Sequence, residues 1–149
     1  ILDKLDAERN VRGYYHNLVV AATGTGKTVI SALDYKRFRK QNARRPCRLL
    51  FVAHREEILK QSLYTSRAVL KDANFGEMFV GSYKPDSIDN LFMSIQTFNS
   101  QDFTSKTSPD FYDYIIINDD ADKAAAEFSA IMTAENCKYE LRKNILSEV

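Results

Sequence analysis

An α/β fold with a mostly parallel sheet and helices on both faces is predicted by three features of this sequence. Short apolar runs alternate with longer amphipathic stretches, one run leads at once into a glycine-rich turn and a helix, and no linker or internal repeat interrupts the succession. Ile1, Leu2 and Leu5 open a helical pattern, and Leu18-Val19-Val20 reads as the first strand. Gly26 to about Arg39 is a helix with Val29, Ile30, Leu33 and Phe38 on one side. The run Arg48 to Ala53 is short, continuous and bounded by polar turns, as a strand covered on both faces would be. Ile58, Leu59, Leu63, Val69 and Leu70 give helical spacing to the segment Glu56 to Lys71. Glu77 to Ser82 and Leu91 to Ile95 read as strands around the polar loop Tyr83 to Asn90, and Tyr112 to Ile117 is the clearest strand of all. Lys123 to Val149, rich in Ala, Glu, Lys and Leu, reads as one or two amphipathic helices through Phe128, Ile131, Met132, Leu141, Ile145 and Leu146.

The segment Ala21-Ala22-Thr23-Gly24-Thr25-Gly26-Lys27-Thr28 carries the chemistry. Glycines let backbone N–H groups close around phosphate oxygens, and the Lys27 ammonium can reach the β and γ phosphates. Thr28 would place its hydroxyl on Mg²⁺, and the following helix adds free N–H donors and the positive end of its dipole. The expected ligand is therefore ATP with Mg²⁺, held by Thr23, Gly24, Thr25, Gly26, Lys27 and Thr28. Ala21 stands where the general pattern has glycine. A glycine turn that merely precedes a helix would need neither Lys27 nor Thr28.

Composition bounds the rest. The 149 residues match one ordinary domain, and 44% apolar content supports a sizeable core. Lys and Arg number 21 against 20 Asp and Glu, so an electrostatic partner must be sought in local clusters. Cys47 and Cys137 are too few for a disulfide scaffold or a cysteine zinc site, and no apolar run approaches the ~20 residues that cross a bilayer. A cytoplasmic protein with no membrane contact is expected. A start on Ile1 within a helical pattern suggests a piece of something longer.

Three further segments narrow the reading. Phe51-Val52-Ala53-His54-Arg55-Glu56-Glu57-Ile58-Leu59-Lys60-Gln61 resembles motif Ia of superfamily 2 helicases, above all the branch with the helicase subunits of type I and type III restriction enzymes. Ser94-Ile95-Gln96-Thr97-Phe98 resembles the motif Ib region of that branch, and Phe111 to Ile117 its motif II strand. The resemblance covers about 1–117 and implies the first of two RecA-like domains of a DNA-dependent ATPase. It also implies that His54, Arg55, Gln96 and Thr97 hold the phosphate backbone of one DNA strand. The chain is thus expected to be one RecA-like domain over 1–149, family-like over 1–117, with a divergent, mainly helical tail over 118–149. The second RecA-like domain, with its arginine fingers, would come from a missing segment or a partner subunit. Loss of such a finger alone is worth a factor of about 10³ or more in phosphoryl transfer.

Motif II is where the sequence departs from the family. The family continues with Asp-Glu-x-His, and this chain has Asn118-Asp119-Asp120-Ala121-Asp122. Two registers are open. In the first, favoured by the apolar pattern of the strand, Asn118 replaces the metal-binding Asp, Asp119 replaces the catalytic Glu, and Ala121 stands where the His would be. In the second, Asp119-Asp120-Ala121-Asp122 is a variant of the Asp-Glu-Ala-Asp box and Asp119 holds the metal. The expected site is therefore Lys27 and Asp119 for catalysis, with Thr28, Asn118 and Asp119 around Mg²⁺. Asn118 brings no charge, so weak hydrolysis is expected. Met132-Thr133-Ala134-Glu135 is a faint echo of motif III, and a plain helix is the commoner reading.

Other features point less sharply. Lys36, Arg37, Arg39, Lys40, Arg44, Arg45 and Arg48 form a run without acidic residues that could neutralise phosphates, although basic residues at a helix C-terminus are usually just solvated. His16 and His54 are not spaced as metal ligands, and Tyr14 and Tyr15 could cover an adenine or simply enter the core. Three functions remain: the ATP-binding, DNA-contacting half of a helicase or translocase, a nucleotide-binding module without useful hydrolysis, and a small-molecule P-loop kinase. The motif Ia and Ib segments favour the first over the third.

Overall fold

The computed structural model describes residues 1–20, 26–118 and the backbone of 143–147. In chain order these form α1 (Leu2–Asn10), β1 (His16–Val20), α2 (Lys27–Gln41), β2 (Leu49–Ala53), α3 (Glu56–Leu70), β3 (Glu77–Phe79), β4 (Asn90–Ser94), α4 (Ile95–Ser100), α5 (Phe103–Lys106), β5 (Tyr114–Asn118) and β6 (Lys143–Ser147). The strands make one six-stranded sheet in the order β1-β6-β5-β2-β4-β3, and every neighbouring pair is parallel. Parallel neighbours need crossovers, and the crossovers carry helices over both faces.

The central strand β2 is buried along all five residues, which is why it reads as a continuous apolar run rather than an alternating one. Its odd positions Leu49, Phe51 and Ala53 pack with Tyr114 and Ile116 of β5 against Leu5 of α1, Tyr35 and Phe38 of α2, and Leu59 and Leu63 of α3. Leu50 and Val52 face the other way with Leu91, Met93, Ile115 and Ile117, where Ile95 of α4 and Phe103 of α5 cover them. The two-residue period of each strand thus divides one sequence between two cores.

All four described glycines have positive φ, and two of them bear on the site and the core. Gly26 precedes α2 at φ 78°, in the left-handed region. Gly76, between α3 and β3, has φ 71°, and a Cβ there would stand 2.9 Å from the Phe92 ring and 3.0 Å from Leu63.

The tail differs from the sequence expectation. Residues 143–147 were expected to be helical but form β6, which pairs with β1 on one side and β5 on the other. Ile145 and Leu146 fit a helix as well as a strand by spacing, and the pairing decides. Without β6 the facing edges of β1 and β5 would leave a row of backbone donors and acceptors unmatched, a cost that local pattern cannot offset. The helical reading of residues 119–142, and the motif III echo within it, lie outside the described residues. Elsewhere the predicted strands hold with trimmed ends: β3 stops at Phe79, and β5 begins at Tyr114 and includes Asn118. The short helices α4 and α5 were not anticipated.

Candidate ATP and nucleic-acid site

β1 delivers the chain to the carboxyl edge of the sheet, and α2 starts there at Lys27. Of the predicted phosphate loop, Gly26, Lys27 and Thr28 are described, whereas Thr23, Gly24 and Thr25 lie outside the described residues. Gly26 is exposed and Lys27 and Thr28 are half-buried. The helix opens with no side-chain cap and no acidic residue in its first turn. The contrast with its neighbours is chemical: α3 has Glu56 and Glu57 in its first turn, and α4 is capped by Ser94, whose side chain accepts from the Thr97 N–H. Of these three, α2 alone starts with neither a side-chain cap nor an acidic residue in its first turn, which favours an external anion there.

Asn118 is the last residue of β5 and is half-buried. By strand alternation it shares its face with Tyr114 and Ile116, the two β5 residues that pack on the α1–α2–α3 side. It therefore emerges at the carboxyl edge on the side of the helix that starts with Lys27. Thr28 and Asn118 both offer neutral oxygen donors, which suit a hard cation such as Mg²⁺ but bring it no charge, so a carboxylate or the phosphates themselves must supply it. Among the described residues no group of three or more His, Cys, Asp or Glu is arranged to hold a metal. Asp119 and Asp120 lie outside the described residues, so the strand fixes the place of Asn118 and leaves theirs aside.

The predicted strand-contact residues divide. Ala53 pairs with Asn118 on one side and with Ser94 on the other, so His54 and Ile95 follow one step beyond the same row. His54 is half-buried, and its Nδ1 lies 3.5 Å from Nε2 of the exposed Gln96. Arg55, the residue that precedes α3, is exposed beside them. Thr97 is only 4% exposed. Its Oγ1 accepts from the Ser94 hydroxyl at 2.8 Å and from the Gly81 N–H at 3.2 Å, so it builds the turn beneath Gln96 rather than lining the surface. The spacing Ser94-Ile95-Gln96-Thr97, a hydroxyl before a helix with a partner three residues on, carried that capping signal in the sequence.

The basic run ends elsewhere. α2 runs about 22 Å from Lys27 back toward the amino edge of the sheet, so Lys40, Arg44 and Arg45 lie at the opposite end from His54 and Gln96. Several other members are committed within the fold. Lys36 donates to the Val69 carbonyl at 2.8 Å, Arg37 pairs with Asp3 at 2.7 Å, and Arg39 lies over the Tyr35 and Phe75 rings. Arg48 pairs with Asp89 at 3.2 Å and stacks over Phe111.

A buried network not foreseen from sequence ties three elements together below the site. Arg9 of α1 donates two hydrogen bonds of 2.6 Å to Asp34 of α2, and the Tyr114 hydroxyl of β5 donates to the same carboxylate. Burial alone would lower the Arg9 pKa, but the hydrogen bonds and charge of Asp34 raise it above the ordinary arginine value. Asp34 sits one helical turn from both Ile30 and Phe38, and a carboxylate on that apolar stripe was the one signal of it in the sequence.

The sequence profile of the type III restriction enzyme res subunit matches residues 1–145. The chain belongs to that family. The match extends past motif II to include most of β6, so the family pattern does not stop at residue 117. No curated protein sequence matches the chain. Among solved structures, an L327V form of Dbp5 from S. cerevisiae bound to RNA and ADP BeF3 is similar, with a TM-score of 0.65 at 13% identity over 89% of this chain and 36% of that one. The UvsW helicase of bacteriophage T4 gives 0.62 at 14% identity over 89% of this chain and 46% of its own. A hypothetical ATP-dependent RNA helicase from Sulfolobus tokodaii gives 0.65 at 14% identity, covering 99% of this chain and 50% of that one. These likenesses establish a RecA-like fold for this member of the res-subunit family. The chain spans half the length or less of each of those three structures. No helix among the described residues is long and apolar enough to cross a membrane.

Proposed function

We propose that this chain is the ATP-binding, DNA-contacting domain of a superfamily 2 translocase of the restriction-enzyme type, with slow hydrolysis on its own. The observation that carries the reading is convergence at one edge of the sheet. The uncapped start of α2 with Lys27 and Thr28, the β5 terminus Asn118, and the His54–Gln96 pair all stand at the carboxyl ends of the strands. The backbone of the phosphate loop and the Lys27 ammonium bind and orient the triphosphate. Thr28 and Asn118, with Asp119 next in the chain, would hold Mg²⁺, which when bound neutralises charge on the transferring phosphoryl group. Asp119 would orient the attacking water if Asn118 occupies the metal-binding position.

His54, Arg55 and Gln96 bind the sugar-phosphate backbone of a strand lying across the carboxyl edge, and such contacts position a strand without reading its sequence. DNA is favoured because the family is one of restriction enzymes, whereas the solved relatives include proteins that act on RNA. A second domain or partner subunit would supply the arginine fingers. The neutral Asn118 favours a second reading, in which the chain binds nucleotide without useful turnover.

Phosphate release by the purified chain, measured alone and with single-stranded DNA, duplex DNA or RNA, tests the proposal. Slow hydrolysis stimulated by DNA more than by RNA supports the translocase reading. Preferential stimulation by RNA overturns the choice of DNA, and no release under any condition favours the nucleotide-binding module.

A further inference from the structure

We propose that Tyr114 and Asp34 are positioning residues that set the spacing between α2 and β5, and with it the Mg²⁺-dependent share of nucleotide binding. The inference rests on the proposed role of the site in binding ATP. α2 carries Lys27 and Thr28 at its start, and Asp34 lies seven residues on, about 10 Å down the helix. β5 carries Asn118 at its end, and Tyr114 lies four residues back, about 13 Å down the strand. The two elements that hold the proposed metal ligands are therefore joined, at similar depth, by a hydroxyl-to-carboxylate hydrogen bond.

Packing makes the joint stiff. The Tyr114 ring meets Tyr35 edge-on with centroids 5.3 Å apart and Phe38 at 5.2 Å, both on α2. Asp34 is wholly buried and also accepts the two-pronged pair from Arg9, itself 3% exposed. Such a cluster is a poor device for stability. Desolvating a full ion pair offsets most of what the pair returns, and the Arg9 Nε is buried without a hydrogen-bond partner among the described residues. What the cluster does supply is direction. A two-pronged guanidinium admits one orientation of the carboxylate, and the carboxylate then admits one position of the Tyr114 hydroxyl. Apolar side chains of equal volume could fill the space but would let α2 slide against β5.

The link predicts a split that loss of stability alone would not produce. Binding of nucleotide without metal depends on the phosphate loop and α2, whereas the gain from Mg²⁺ needs α2 and the end of β5 in register. Titration calorimetry with ADP in the presence of a chelator, then with ATP at increasing Mg²⁺, separates the two. Tyr114→Phe should bind metal-free ADP within about twofold of wild type. The Mg²⁺ concentration for half of the metal-dependent gain should rise about tenfold, as for other groups that orient metal ligands from behind.

Tyr112→Phe is the control, because it deletes a part-buried hydroxyl, donated to the Ile88 carbonyl at 2.7 Å, from the opposite core. It should leave both readings unchanged. The proposal is overturned if Tyr114→Phe keeps the wild-type Mg²⁺ dependence, or if Tyr112→Phe reproduces the shift. Should Tyr114→Phe fail to fold, the double variant Arg9→Gln with Asp34→Asn removes both charges but keeps an acceptor for the Tyr114 hydroxyl. With the two-pronged pair gone the orientation of that acceptor is no longer fixed, so a raised Mg²⁺ requirement at unchanged metal-free ADP binding supports the proposal, and the wild-type Mg²⁺ dependence overturns it. A wild-type chain that binds no nucleotide at all overturns the ATP reading itself, and the inference with it.

Discussion

Gln96 at the start of α4 and His54 just beyond β2 meet across the carboxyl edge of the sheet, Nε2 to Nδ1 at 3.5 Å. They come from segments 42 residues apart in sequence, and the parallel pairing of Ala53 with Ser94 brings them side by side. The amide and the imidazole form a polar ledge next to exposed Arg55, one step beyond the row that holds Asn118. The proposed strand contact and the proposed nucleotide site thus share neighbouring strands, so a shift at one would be felt at the other.

Substitutions on that ledge should separate charge from hydrogen bonding. Arg55→Ala should weaken DNA binding and reduce the salt dependence of log K by about one unit of slope, as for loss of one phosphate contact. Gln96→Ala should weaken binding with the slope unchanged, because no cation is lost. Fluorescence anisotropy with a labelled oligonucleotide over a salt series reads both, and a changed slope for Gln96→Ala would exclude a purely hydrogen-bonding role for it.

Thr97 belongs beneath the ledge. Thr97→Val keeps the shape and removes the hydroxyl that accepts from Ser94 and Gly81, leaving the Gly81 N–H without that acceptor. A loss of about 1–3 kcal/mol in unfolding free energy is expected. Urea denaturation gives the value, and a fully stable variant that binds DNA poorly would instead put Thr97 on the binding surface.

Much of this could be read from residues. The apolar runs of β2 and β5, the helical face of α3, and the Gly26-Lys27-Thr28 turn into a helix are local signals with a fixed period or a fixed chemistry. The face expected for α2 differs: Val29 is exposed, Ile30 and Leu33 are half-buried, and the helix buries Ser31, Ala32, Asp34, Tyr35 and Phe38. What escaped depends on distant pairing. Lys143 to Ser147 carries no strand signal that outweighs its helical spacing, and only the open edges of β1 and β5 make it β6. Thr97 matched a strand-contact motif, yet its burial follows from the loop at Gly81, sixteen residues away. Asp34 stood plainly on an apolar helical stripe, but its partners Arg9 and Tyr114 lie 25 and 80 residues off in sequence.

Motif II should respond to restored charge. If Asn118 holds the metal-binding position, Asn118→Asp with Asp119→Glu should raise the steady-state rate of phosphate release about tenfold, because a carboxylate joins the Mg²⁺ site and a longer one reaches the attacking water. In the alternative register Asp119 is already the metal ligand, so Asp119→Glu should harm and Asp120→Glu should help. The single and double variants assayed together decide between the registers.

Alkaline pH should destabilise the fold through its buried phenols. Burial pushes Tyr35 and Tyr112 well above the ordinary tyrosine range. In the unfolded chain these groups ionise from about pH 10, while the folded chain keeps their protons to higher pH. Above that point the unfolded state binds fewer protons, so stability present below pH 10 is lost as pH rises. The urea midpoint should fall between pH 9 and about pH 11, and less steeply for Tyr35→Phe. A flat profile would contradict the assignment.

Every functional role proposed for this edge of the sheet depends on ATP binding where α2 begins, and calorimetry on the intact chain and on Lys27→Ala tests that directly. The wild type should bind ATP with Mg²⁺ dependence, and Lys27→Ala should give no measurable heat of binding. Both proteins should keep the same urea midpoint, because Lys27 is only half-buried at the helix start. Equal affinity in the two proteins would contradict the placement of ATP at this helix.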